Sequence, residues 1–492
     1  MEQKNRFSVL LEQLMSVSEI KNSTLAQELQ YDVSYISKWV SGRMIPAEKT
    51  ISRVLQGISR CIVGAASPEG LQNLMEDYRV DCPEELEQAI YDNLEMEYQY
   101  AKEQQKNGAA ASTPNISFYP ELSTLQFIAK MHHPVLRRVK SLDIMASMDI
   151  MSVAYEQRIK MVQVQDSERG GWRTYPNVHY SLLMTLDLDN WEYIRDTIFI
   201  INMLYQSSQV DFRLYCGKQA AGRIIFAVKD EFSITGFLNE PNQCLSVVSS
   251  EDAQNSNLLY QNIAKFCGQD NLMFRQLSMD AMLLEHEYVH SLISPVHCWL
   301  MGHVTEHLIP EEMVEDLLRQ CHDMTPEIQE QIRGAHRLVR RTLETSQVRL
   351  MIYESALAEL MTGDEIDFYG YSVKLTPAQR IQCLRYILAM ATELEGLSIS
   401  IIFGRFVPDF QDVTNQCVFL SNVRSYIRLK QKNSTNVMLI NHKNMREIFQ
   451  RFFEEIWDFD MNVVISDPDE IEAHINHTIA GAKMLTRMET VE

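Results

Sequence analysis

Residues 25–46 read LAQELQYDVSYISKWVSGRMIP, and they decide the head of the chain. Just upstream, Asn22 or Ser23 can cap a helix carrying Thr24, Leu25, Ala26 and Leu29, with the two leucines one turn apart. Ala26 is small, so a second helix can cross it closely. Asp32 can cap that second helix, VSYISKWVSG, in which Ile36 and Val40 point inward at i and i+4 and Trp39 flanks them. Gly42 stops it. Pro46 then precedes a further amphipathic helix with Ile51, Val54, Leu55 and Ile58. Two short helices at a steep angle, the second opening on small polar residues, have the form of a major-groove reader.

On these residues the stretch resembles the helix-turn-helix of the Cro and phage-repressor family. The matching features are Leu25-Ala26 opening one helix, Ile36 with Ser37 and Trp39 in the next, Gly42 with Arg43 after it, and Pro46. The resemblance covers about residues 20–60 and nothing beyond. One position departs from it: Gln30 stands where the family usually has Gly, and a non-glycine residue at positive φ costs roughly 1 kcal/mol. The resemblance implies that Val33, Ser34, Tyr35 and Lys38 face base edges and that Ser23, Thr24, Ser41 and Arg43 lie against phosphates. It also implies a homodimer reading two half-sites, because one head makes too few contacts. Helix 68–106 or the C-terminal body would supply that dimer. The alternatives are that these side chains are merely solvated, or that the module binds only protein.

The charge distribution suits one local DNA contact. The 492-residue chain carries −21, but residues 1–60 hold eight Lys/Arg against six Asp/Glu. A slightly basic head on an acidic body would touch DNA locally and leave the body free for a small-molecule or protein signal. Nine scattered cysteines without a CxxC pair point to a reducing cytoplasm, and the resemblance implies a bacterial-type regulator. The N-terminal MEQKNRFSVLLEQLM lacks the apolar core of a signal peptide, and the run Ile198–Tyr205 is too short to span a bilayer, so no membrane partner is expected.

The expected fold is multidomain: an all-α helix-turn-helix domain followed by a mixed α/β body with a helical middle segment. Residues 1–60 form the DNA-binding domain, 61–105 a helical connector and possible dimerisation segment, and 106–115 (KNGAAASTPN) a linker. A first α/β region spans 116–270, with strands at 178–188, 210–216, 223–228, 232–238 and 244–249. A helical region follows at 271–360, then a second α/β region at 361–492 with strands at 398–403, 417–422 and 436–441. Both α/β regions run strand, strand, strand, amphipathic helix, the pattern a diverged internal duplication would leave. The texture also resembles phospholipase-D-like folds, which would be catalytically empty here because no HxKxxxxD occurs.

One motif competes. His286-Glu287-Tyr288-Val289-His290 is a formal HExxH, which on a helix places two imidazoles on one face for zinc, with Glu287 as general base. Glu306 is a candidate third ligand, alongside Glu311, Glu312, Glu315, His303 and His307. Against it, Leu277, Ala281, Leu284, Tyr288 and Leu292 form one apolar stripe, and at about 100° per residue both histidines fall on the opposite face. Ordinary histidines are therefore expected, with no cofactor and no catalytic residue; a helix-turn-helix fused to a zinc metallopeptidase-like domain is the alternative, and a protein-interaction scaffold a third. No GxxxxGK[ST], GxGxxG after a strand, or GxSxG occurs. Gly170-Gly171-Trp172-Arg173 reads as a surface turn. The commitment is a sequence-specific DNA-binding transcription regulator with a large sensor or partner-binding body.

Overall fold

The computed structural model describes all residues except 1–4, 19, 79, 81, 107–115, 132–135, 137–140, 167–176, 209, 323, 364, 404–415, 431–434, 459–462 and 490–492. The expected linker, apart from Lys106, and the turn at Gly170 to Arg173 lie outside the described residues. The chain divides into two compact units. One contains residues 1–147, 152–180 and 222–263; the other contains 148–151, 181–221 and 264–492.

Six helices open the first unit: α1 (Arg6–Val17), α2 (Asn22–Leu29), α3 (Val33–Ser41), α4 (Ile51–Ala65), α5 (Pro68–Tyr78) and α6 (Pro83–Lys106). They share a single core. Leu86, Ile90, Leu94 and Tyr98 of α6 are buried with Phe7 and Leu11 of α1 and with Leu55, Ile58 and Ile62 of α4. The Phe7 and Tyr98 rings meet edge to face at 6.1 Å. The boundary expected at residue 60 is therefore corrected. Residues 61–105 are the far wall of the head, and the apolar stripe of α6 is spent inside it.

Beyond the helices lie two large sheets. The first has seven strands in the order Ile116–Ser123, Gln243–Ser250, Phe232–Glu240, Arg223–Val228, Ser141–Met148, Asn177–Met184, Asp211–Cys216. The second has eight, and from its Phe274–Ser278 edge they run Thr435–Ile440, Tyr426–Lys430, Cys417–Ser421, Val296–Met301, Gln347–Tyr353, Leu397–Ile402, Val464–Ile465. Numbered along the chain within each sheet, the first seven strands have the same spatial order in both. Each sheet also places helices after its second and third strands and another after its seventh. The shared order seen in the sequence is thus part of a longer doubled arrangement, seven strands per repeat.

The expected helical region 271–360 is also corrected, since it contributes three strands, Phe274–Ser278, Val296–Met301 and Gln347–Tyr353. The last two have parallel neighbours and are buried almost without interruption. A strand covered on both faces carries no period-two alternation, so its sequence reads like a piece of buried helix. The second sheet consequently begins near 274, well before the boundary expected at 361. Among the described residues no helix is long and apolar enough to cross a membrane.

Candidate nucleic-acid interface

The turn between α2 and α3 is built from local chemistry. Gln30 ends α2 in the left-handed region at φ 57°, and Tyr31 donates its backbone N–H to the Ala26 carbonyl at 3.0 Å. The residue standing in place of the family glycine thus takes up the glycine-like conformation. Asp32 caps α3, its carboxylate accepting the Ser34 N–H at 2.9 Å, and these bonds from Ser34 hold its pKa below the usual carboxylate range. Gly42 at φ 80° ends α3, and Asn5, the cap of α1, donates from its amide to the Gly42 carbonyl at 3.1 Å. The cap expected on α2 is different. Asn22 and Ser23 lie inside the first turn, and the N-cap is Lys21, with no side-chain bond.

Ile36 and Trp39 form the buried face of α3, while Val40 is only half-buried. Trp39 rather than Val40 is the second core residue. Ser34 and Lys38 on the opposite face, with Val33 and Tyr35 on its flanks, are all exposed; Val33 and Tyr35 keep 46% and 45% of their surface. Exposed apolar side chains of this size on a helix of nine residues need a reason. Tyr35 is also held in place. Tyr31 bridges it to Trp39 with edge-to-face contacts at 6.0 and 5.2 Å, and the Lys38 ammonium sits 5.6 Å over its ring. From 33 to 47 the sequence contains Lys38 and Arg43 and no carboxylate. Arg43 is exposed, and Ser41 is half-buried with its hydroxyl donated back to the Lys38 carbonyl at 3.2 Å. Ser23 and Thr24 are exposed in the first turn of α2, on a separate element from the α3 group.

The HExxH segment does not form one helix. A strand ends at Ser278, which caps a short helix, Met279–Leu284; His286 adopts φ 60°, and a second short helix runs Glu287–Leu292. The break falls on the first histidine, so the two imidazoles are not stacked at i and i+4 of a continuous helix. Glu287 is engaged by Arg424 at 2.7 Å and Arg275 at 3.1 Å, and His290 is exposed. Glu306 is fully buried against Arg428 and meets the motif through Tyr288 rather than through His286 or His290. Among the described residues no group of three or more His, Cys, Asp or Glu is arranged to hold a metal ion. The continuous helix on which the zincin alternative rested is therefore absent from this segment.

Sequence reasoning missed the constellation around Arg428, which is 0% exposed. It donates to both Glu306 oxygens, at 2.9 and 2.7 Å, and to Asp367 Oδ1 at 2.7 Å. Tyr288 donates to Glu306 at 2.7 Å, and Thr435 and the Gly370 N–H donate to Asp367 at 3.0 and 2.8 Å. His303 stands 3.4 Å from Asp367 and 3.4 Å from the Cys417 sulfur. Burial opposes its protonation, but Cys417 and Asp367 outweigh burial and lift the imidazole to about 9. Burial holds the neighbouring His307 down at about 4. Burial also opposes the charges on Glu306 and Asp367, yet the Arg428 guanidinium keeps both carboxyls below their usual range. With Arg428, Glu306, Asp367, His303 and Tyr288 all buried, this is an ion network enclosed at the second sheet.

No protein-family model matches the chain, and no curated protein does. Among solved structures, one described as "Structure of TrmBL2, an archaeal chromatin protein, shows a novel mode of DNA binding" is similar at 9% identity over 42% of this chain and 60% of that chain, with a TM-score of 0.20. This chain thus spans less than two thirds of that protein. A likeness at that score transfers neither fold nor function.

Proposed function

We propose that the chain is a sequence-specific DNA-binding transcription regulator of bacterial, cytoplasmic type. In this reading α2 and α3 read duplex DNA, and the doubled α/β body senses a small molecule or binds a protein. The observation that carries it is the outward face of α3. Val33, Ser34, Tyr35 and Lys38 are exposed together beside a run without a carboxylate, on a chain of net charge −21. On an acidic protein, a helix face whose residues 33–41 carry no carboxylate, with seated aromatic and cationic side chains and Asp32 engaged as the cap, has the complement of a base-pair edge flanked by phosphates.

The roles follow from position. Val33 and Tyr35 offer apolar contact to base edges, and Ser34 and Lys38 offer hydrogen bonds. Ser23, Thr24, Ser41 and Arg43 serve the phosphates, Arg43 with full charge. No catalytic residue and no cofactor is assigned to the body.

The test is binding of the purified full chain to its own upstream DNA and to random duplex, with Lys38→Ala and Arg43→Ala measured at two salt concentrations. Saturable, salt-sensitive binding is expected. Arg43→Ala should weaken all sequences alike and lower the salt slope by about 1 per head. Lys38→Ala should weaken the preferred sequence more than random DNA. No binding at low salt overturns the proposal.

A further inference from the structure

The first sheet carries an outward apolar face inside the first unit, and the backbone register fixes its layout. Across four strands, Glu121 pairs with Leu245, Leu245 with Phe237, and Phe237 with Arg223. The neighbouring row runs Phe118, Val248, Thr235, Ile225. Ser246 at φ 51° sits at the register shift that keeps Leu245 and Val248 on one side. Alternate residues, Ile224, Phe226, Ile234, Gly236, Cys244 and Val247, are buried on the inner face. On the outer face Phe118 is 63% exposed, Phe237 59% and Ile116 56%. These three are among the most exposed large apolar residues described, and they gather on one surface at a sheet edge.

The charges at the two ends of the first row choose the occupant. Glu121 stands at one end and Arg223 at the other, both exposed, with apolar side chains between them. Three strand spacings separate them, about 14 Å. A two-fold axis parallel to the strands lays this row against itself reversed. Glu121 of one copy then meets Arg223 of the other twice over, and Leu245 meets Phe237 in between. An isologous interface needs this self-complementarity. We infer that this sheet face is where a second copy of the chain docks. The patch measures about 20 by 20 Å, or about 400 Å² per copy and about 800 Å² in all, below the range of stable specific interfaces, so the dimer is a weak one that forms reversibly with concentration. The inference stands apart from the DNA reading, because its readout needs no DNA.

The test is sedimentation of the full chain between about 1 and 100 μM, which spans micromolar dissociation constants. A concentration-dependent dimer is expected. Glu121→Arg and Arg223→Glu should each weaken it at least about tenfold by placing like charges opposite, and the combined swap should restore it to within about threefold. Phe237→Asp should leave a monomer with an unchanged circular dichroism spectrum and melting temperature. A monomer at every concentration overturns the inference. So does a dimer that none of these variants shifts, or a double swap no better than the single ones.

Discussion

Replacing Arg428 by Met tests the energetics of the second sheet most directly. The side chain is 0% exposed and makes three charge-assisted bonds, to Glu306 and Asp367, which are themselves 0% and 3% exposed. Methionine approximates its length but leaves two buried carboxylates sharing one remaining cation, His303. The cheapest relief is to protonate one of them. For a carboxyl of ordinary pKa near 4.3, that costs about 3.7 kcal/mol at pH 7. This sets the scale of the loss and agrees with the ~3–5 kcal/mol typical of breaking a buried pair from one side. Urea unfolding followed through Trp299, buried 4.7 Å from His307, should show the midpoint falling by more than about 1 M for a slope near 3 kcal/mol/M. The deficit should shrink at pH 5, where protonation comes at less cost, and adding Glu306→Gln with Asp367→Asn should recover at least half of it. A midpoint shift below about 0.3 M would refute the reasoning, since solvent or rearrangement would then be neutralising charges that the geometry shows sealed.

Further outcomes follow from the same structure. His303 has its folded pKa raised to about 9, so its stabilisation is fully present below the unfolded value near 6.5 and is lost as pH rises through 9. The melting temperature should therefore fall between pH 7 and 9.5, and His303→Gln should flatten that fall. His307, lowered to about 4, has the opposite sign: the fold prefers it neutral, and stability drains as pH falls from about 6.5 through 4. Gln30→Gly relieves a non-glycine residue at φ 57° and should stabilise the head by ~0.5–1 kcal/mol in calorimetry, with DNA affinity unchanged. Asp32→Ala removes the cap of α3 and should cost ~1 kcal/mol by the same measurement.

The parts of the fold that were legible in the sequence are those fixed within one or two turns of chain. Leu25, Leu29, Ile36, Asp32 and Gly42 have the places their spacing implies, because caps and i, i+4 contacts are local. Trp39 and Val40 both border the apolar stripe of α3, and packing against the rest of the head selects Trp39. That choice is tertiary and leaves no mark on spacing. The helical stripe set against the HExxH motif failed for a related reason. Leu277 was counted as the start of a helical stripe, yet it pairs with Val437 in the second sheet, 160 positions away in sequence numbering. Once that strand forms, Ser278 caps a new helix and His286 breaks it. The Arg428 network was invisible because its members lie 61 and 122 positions apart, brought together only by the strand order.

That order repeats in both sheets while their contents differ, and the difference separates two kinds of work. Arg428 lies on Tyr426–Lys430, the sixth strand of the second repeat; its counterpart in the first is Phe232–Glu240, which buries Phe232, Ser233 and Ile234 and carries no cation. That strand instead turns Phe237 outward, in line with Glu121 and Arg223. One repeat has its polar chemistry sealed in the core, where it sets stability; the other has an apolar row and its charges on the surface, where they set association. The two should therefore dissociate under mutation. Arg428→Met should lower the unfolding midpoint and leave sedimentation unchanged in native buffer, whereas Phe118→Ser should weaken the dimer and leave the unfolding free energy within about 0.5 kcal/mol of the parent. If Phe118→Ser unfolds the chain as Arg428→Met does, the outward face is part of the core, and the division of labour between the repeats is wrong.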